Sequence, residues 1–294
     1  QLIILNILFS YINKIFWNIG KSLTKFLFEL INDINFEKNI LALSLNCFEH
    51  IRKDDRKQLK QKSDGSPLGS ADLELDNIIR NKLLTFSSKI PIISEELSVS
   101  DKAYQNNYYW LIDPIDGTKS YLSGGSEYSI NIALILEGKP YFGLIAHPPT
   151  ERIWYTKNKE VICLKKGLKK IIRHNSRRFP EKLKIITSKE YNKDLENLIN
   201  LFKTSDRVKL SSSLKFCELA EKNYDIYPRI SSISKWDIGA GHAILTASGG
   251  SLIKKNGKCF KYNTETSKTG SFIAISDKDW STDLIALVKQ HNLF

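Results

Sequence analysis

Methionine is absent from all 294 residues, and the sequence offers no physical account of that absence. Only four cysteines occur, Cys47, Cys163, Cys217 and Cys259, far apart and without a C-x-x-C pair. That spacing argues against a disulfide framework or a zinc module and for buried thiols in a reducing compartment. No apolar run reaches the ~20 clean residues a spanning helix needs. The first eighteen residues, QLIILNILFSYINKIFWN, come nearest but are broken by Asn6, Ser10, Asn13 and Lys14. A secretory signal is not evident either, because no charges precede that run and no small-residue cleavage site follows it. Repeats of fixed period are also missing.

What is present is an ordinary globular composition, 41% hydrophobic and 26% charged, with a formal net charge of +12. That length allows one large domain or two smaller ones. The charge suits an anionic partner, which can be nucleic acid, an anionic membrane or a phosphorylated small molecule. Nucleic acid is the least favoured, since no aromatic-basic platform accompanies the charge. Lys14, Lys21 and Lys25 among Phe16, Trp17, Phe26 and Phe28 suit a helix lying in a membrane interface. A helix packed on its own protein, or a disordered extension, accounts for the same stretch equally well.

Three segments are expected: an apolar extension over 1–31, an α+β lobe over 32–180, and an α/β lobe over 181–294, the basic run LKKGLKKIIRHNSRRFPEK marking the second boundary. Helical periodicity covers about Asp33 to Leu59 and the stretch ADLELDNIIRNKLLTF. KIPIISEEL reads as a short buried strand ending in two glutamates, and SINIALILEGKPYFGLIAHP as a hairpin.

The most informative stretch is WLIDPIDGTKSY, Trp110 to Tyr121. Pro114 has no N–H and biases Asp113 toward an extended backbone, which predicts a strand ending at Asp113. The turn then brings the Asp113 and Asp116 carboxylates to one side, where they call for a shared proton or a hard cation. Gly117-Thr118 offers backbone N–H groups at a helix start, a good seat for a phosphate. A plain Pro/Gly turn with an aspartate cap explains the hexapeptide alone. Three further acidic features at element ends favour the metal reading: Glu95-Glu96, Asp72 after a Ser-Pro-Leu-Gly loop, and Asp237, itself an N-cap candidate. Every candidate ligand is oxygen, so magnesium is favoured over zinc. His242 and His147 read as packed structural residues.

The set KSDGSP…AD, SEE, WLIDPIDGT and WDIGAGHA resembles the magnesium-dependent, lithium-sensitive phosphatases typified by inositol monophosphatase. Within them, SSSLKFCELAEKNYDIYPR is similar to the CysQ-type 3'(2'),5'-bisphosphate nucleotidases, which remove the 3'-phosphate of adenosine 3',5'-bisphosphate. The resemblance spans about Asn35 to the C-terminus. It implies an α/β (α+β) chain with a layered α-β-α-β-α sugar-phosphatase fold of two lobes, and two or three Mg²⁺ ions. Glu95, Asp113 and the Ile115 carbonyl would hold one ion, and Asp113, Asp116 and Asp237 a second. Asp72 and the Thr118 hydroxyl would orient and deprotonate water, and the Gly117 and Thr118 N–H groups would bind phosphate. Ser212, Ser213, Lys215 and Arg229 would flank the nucleotide, and Asp237 would also touch substrate. The stretch Gly124 to Ser129 is open to reading as a flap or a plain turn. Gly69 stands where the family often has threonine, and Ser211 where the subfamily usually has glycine.

The expected function is therefore Mg²⁺-dependent hydrolysis of adenosine 3',5'-bisphosphate, linked to sulfur metabolism. Rival readings are an inositol, histidinol or fructose bisphosphate phosphatase, and a non-catalytic module docked on a membrane through its N-terminus. A cytoplasmic location is expected, with peripheral contact at the inner membrane face left open.

Overall fold

The computed structural model describes residues 24–62, 65–97, 101–189, 193–254 and 260–290, so the readings made on residues 1–18 and on Cys259 lie outside it. The chain divides into two compact units, 1–42 and 43–294. In the first, residues 24–32 are helical and helix α1 (Ile34–Lys53) begins, its start capped by Asp33, whose Oδ1 accepts from the Asn35 N–H at 2.5 Å. Among the described residues no helix is long and apolar enough to cross a membrane.

The second unit carries two principal sheets. Strands β1 (Gln58–Gln61) and β2 (Pro67–Gly69) form a small hairpin that leads into helix α2 (Ser70–Phe86). The seven-stranded sheet follows chain order: β3 (Ile92–Ser94), β4 (Tyr108–Asp116), β5 (Ser129–Leu136), β6 (Lys139–His147), β7 (Arg152–Lys157), β8 (Glu160–Lys165) and β9 (Leu168–Ile172). Only the β3–β4 pair is parallel. The basic run expected at a boundary starts at the end of β8 and continues as edge strand β9, where lysines discourage edge-to-edge pairing. Between β4 and β5 lies the short helix α3 (Thr118–Leu122).

The second sheet has the order β11 (Thr204–Lys209), β10 (Leu183–Thr187), β12 (Ile226–Arg229), β16 (Phe272–Ile275), β14 (Ser251–Lys254). Helices α4 (Lys193–Ile199), α5 (Leu214–Ala220), α6 (Lys235–Ala247) and α7 (Ser281–Gln290) interleave with it, and β13 (Ile233–Ser234) pairs with β15 (Lys268–Thr269). One core joins Leu111, Ala133 and Ile145 of the first sheet to Phe216 and Ile244 of α5 and α6 and to Tyr227 and Phe272 of the second sheet. A second core packs Leu195, Leu198 and Leu284 of α4 and α7 on the far side. With α2 against β4, the layers read α-β-α-β-α.

The middle layer is close-packed because small residues face it. A Cβ on Gly143 of β6 would stand 2.4 Å from the Ala240 carbonyl oxygen, and one on Gly241 would stand 2.3 Å from the Phe216 ring. Backbone and ring cannot yield that much in a core of near-crystalline density. Gly143→Val is expected to lower unfolding free energy by roughly 1–3 kcal/mol in urea titration; a midpoint equal to wild type would contradict this packing.

His242, on α6, meets the Tyr262 hydroxyl at 3.1 Å and the Phe260 ring, and burial pushes its pKa down to about 4. The unfolded imidazole titrates at ~6.5. Between those values the unfolded chain binds a proton that the native one refuses, so stability falls as pH drops from 6.5 toward 4. The urea midpoint of wild type should therefore decline relative to that of His242→Gln across this window, and parallel curves would remove the histidine as the cause.

Candidate active site

Strand β4 does not end at Asp113, contrary to the sequence expectation. It continues to Asp116 through a bulge: Asp113 pairs with Asn131 and Asp116 with Ser129, three residues opposite two steps. A regular strand would send residues three apart to opposite faces, whereas the extra residue returns both carboxylates to one face. Proline fits at this point because a bulge leaves a ladder position unpaired.

Around Asp113 the structure gathers Glu95, just past β3, and Asp237, at the start of α6; ligand atoms of all three lie within 4.8 Å of one another. Asp113 is fully buried, and neither of its oxygens has a hydrogen-bond partner. Burial first, then Glu95, Asp116 and Asp237, push its carboxyl well above the ordinary range. Asp237 is raised in the same way, by burial and by Asp116 and Glu95. A buried carboxylate with two orphaned oxygens among three acids fits a bound hard cation.

The surrounding carboxylates are each pinned through one side. Asp237 is not the N-cap. Ser234 is, and Asp237 sits three residues on, its Oδ2 accepting from the Ser234 N–H at 3.0 Å. Asp72 repeats this arrangement at the start of α2, with Oδ2 accepting from the Gly69 N–H at 2.8 Å. A backbone N–H thus serves Asp72 at the position where a threonine hydroxyl was missed, and a Cβ on Gly69 would come to 2.9 Å from that oxygen. Asp72 Oδ1 lies 3.1 Å from Thr118 Oγ1, which also donates toward the Ile115 carbonyl at 2.9 Å. Burial outweighs these bonds and raises the Asp72 carboxyl to about 6.

Asp116 Oδ2 accepts from the Ser213 N–H and Oγ–H, each at 2.6 Å, and from Asn131 Nδ2 at 3.0 Å. Ser213 is thus turned to Asp116 and is not part of the cleft wall, which Ser212, Lys215, Arg229 and Asp237 help to form. The cleft holds about 700 Å³. Lys215 is buried, its ammonium donating to the Leu210 and Ser212 carbonyls at 3.1 and 2.5 Å, and Arg229 Nη1 donates to Ser188 Oγ at 2.9 Å. Gly117 takes φ +96°, and a side chain there would meet the Glu127 carbonyl oxygen at 2.8 Å. His147 is structural, bridging Thr150 Oγ1 and the Ser126 carbonyl.

The model of the inositol monophosphatase family matches residues 34–293. The chain belongs to that family. It is 33% identical to the 3'(2'),5'-bisphosphate nucleotidase CysQ of Salmonella typhimurium over 70% of this chain and 84% of that one. It is 37% identical to the CysQ nucleotidase of Buchnera aphidicola over 69% of this chain and 76% of the relative. Among solved structures, CysQ of Bacteroides thetaiotaomicron superposes with a TM-score of 0.66 at 25% identity, covering 81% of this chain and 94% of that one.

Three residues in contact with the candidate site were not singled out from the sequence. Lys62 reaches both Glu95 and Glu96, at 2.6 and 2.7 Å. Asn131 is the lone amide in a fully buried strand whose other residues, Ser129 aside, are apolar, a signal that was legible in SINIALIL. Glu127 was passed over inside a stretch read as flap or turn. A second acidic group, His174, Asp277 and Asp279, has its carboxylates already engaged by Arg177, Asp279 and Ser176 donors.

Mg²⁺ is expected to raise the melting temperature of the metal-free protein, by about 2.7 kcal/mol equivalent at a hundredfold excess over Kd. Asp113→Asn should melt higher than wild type without cation, since it relieves the repulsion, and should respond little to Mg²⁺. An equal cation response in both would remove Asp113 from the site.

Proposed function

We propose that this protein is a Mg²⁺-dependent phosphomonoesterase that hydrolyses the 3'-phosphate of adenosine 3',5'-bisphosphate to AMP and inorganic phosphate. The observation that carries the reading is the buried, donor-free Asp113 carboxylate among Glu95, Asp116 and Asp237, beside the Gly117 turn. The CysQ relatives, 33–37% identical, support the substrate. A cleft of about 700 Å³ is roomy enough for a nucleotide.

Glu95, Asp113, the Ile115 carbonyl, Asp116 and Asp237 would hold two or three ions. When bound there, Mg²⁺ supplies a lowered pKa for water and neutralises the leaving oxygen. The protein's own residues do the rest. Asp72 keeps one oxygen on the Gly69 N–H and points the other at Thr118, so the pair has one free acceptor direction for a water proton. A carboxyl raised to about 6 is a better base than an ordinary aspartate and is still ionised at neutral pH. The Gly117 and Thr118 amides would seat the phosphoryl oxygens, with backbone able to approach because Gly117 lacks a Cβ. Water gives a proton to Asp72 and adds to phosphorus, the bond to the ribose 3'-oxygen breaks, and that oxygen takes up a proton from solvent. Ser212, Lys215 and Arg229 line the side of the cleft where the nucleoside would lie.

Phosphate release should be fastest with adenosine 3',5'-bisphosphate, slower with inositol 1-phosphate and fructose 1,6-bisphosphate, and abolished by EDTA. Asp72→Asn should lower kcat by roughly 10²–10⁴ with the fold retained. Preference for a sugar phosphate would replace the substrate and keep the chemistry; metal-independent release, or none, would overturn both.

A further inference from the structure

Glu127 is the one acidic side chain of the cleft wall that the proposed chemistry does not use, besides Asp116 and Asp237 which it does. It stands on the loop between α3 and β5, and four contacts tie it to opposite walls. Its N–H donates to Ser120 Oγ at 3.2 Å, and its carbonyl leans on the Gly117 turn. Its carboxylate crosses to the other wall, where Oε2 accepts from the Ser211 N–H at 2.8 Å and Oε1 pairs with Lys189 at 3.0 Å. Burial would raise the Glu127 carboxyl, yet the Ser211 N–H and Lys189 together draw it below the usual range.

The segment it grips is under constraint. Ser212 takes φ +58°, a left-handed backbone that is costly for a residue with a Cβ and persists only where neighbours over-determine it. Those neighbours are Thr187, whose carbonyl accepts from the Leu210 N–H, Lys215 on the Leu210 and Ser212 carbonyls, Asp116 on Ser213, and Glu127 on Ser211. The next residue, Ser213, orients Asp116 together with Asn131. Its hydroxyl also lies 2.6 Å from the Asp237 carbonyl. Glu127 is therefore joined to the acidic site through two residues of backbone.

We propose that Glu127 is a positioning residue that straps the serine loop, Leu210 to Ser213, to the Gly117 turn, and so sets both the aim of Asp116 and the nucleotide wall of the cleft. It has no part in the proposed attack on phosphorus. Its two oxygens have separable duties: Oε2 holds the loop and Oε1 stations Lys189 at the mouth. This inference rests on the proposed phosphatase reading for its kinetic consequences but not for its structural ones.

The test compares wild type, Glu127→Ala, Glu127→Gln and Lys189→Ala in the full chain. Glutamine keeps an oxygen for the Ser211 N–H and loses the charge for Lys189. Without any ligand, amide hydrogen exchange of residues 211–213 should quicken at least tenfold in Glu127→Ala and stay near wild type in Glu127→Gln, while exchange in β5 is unchanged in both. In phosphate release, Glu127→Ala should need about fivefold or more Mg²⁺ for half-maximal rate and show a raised KM, with Glu127→Gln restoring the Mg²⁺ dependence. Lys189→Ala should leave the Mg²⁺ dependence untouched. Exchange in the serine loop that is equal in wild type and Glu127→Ala overturns the strap, as does a glutamine variant as impaired as alanine. An inactive wild type whose exchange pattern is nevertheless the expected one would sink the phosphatase reading and leave the strap standing.

Discussion

Everything in the site answers to one constraint, the mutual repulsion of carboxylates around a buried Asp113. Its two oxygens have no donor, and its neighbours Glu95, Asp116 and Asp237 all act to keep it protonated. Such a group is expensive unless a cation occupies the space between the acids. The fold meets this by holding each neighbour by part of its carboxylate: Asp237 on the Ser234 N–H, Asp116 on Ser213 and Asn131, Glu95 on Lys62. Asp113, at the centre, has no backbone or serine donor of this kind and faces the other acids directly.

The architecture makes that concentration of charge affordable by bringing it from separate elements to one edge of a packed layer. A bulge in β4 turns Asp113 and Asp116 to the same face. Helix α6, wedged between the sheets by glycine contacts, delivers Asp237 at its first turn, and α2 delivers Asp72 at its own. In both helices the carboxylate is at the third position, so closing the helix start also fixes the rotamer of a chemical group.

Each acidic residue alone reads as a cap or a turn aspartate; the set was legible because four acidic clusters fall at element ends beside a Gly-Thr turn, and the family resemblance put them together. The layered fold was legible from the same resemblance and from the alternation of helical and strand patterns. Other features were not. A proline after Asp113 reads locally as a strand end, and only the cross-strand pairing with Asn131 and Ser129 reveals a bulge. Asp237 at a helix head reads as a cap until Ser234 is seen to occupy that place. Ser213 reads as a ligand contact from its motif, but its N–H and hydroxyl are turned to Asp116, 97 residues away in the chain. Long-range partners of this kind have no local signature.

The most direct test of the central claim is an anomalous-difference map from crystals grown with Mn²⁺ in place of Mg²⁺. A peak in contact with Asp113 and bounded by Glu95 and Asp237 is the predicted result. A map with no peak there, or with its peak at His174, Asp277 and Asp279 instead, would contradict the account.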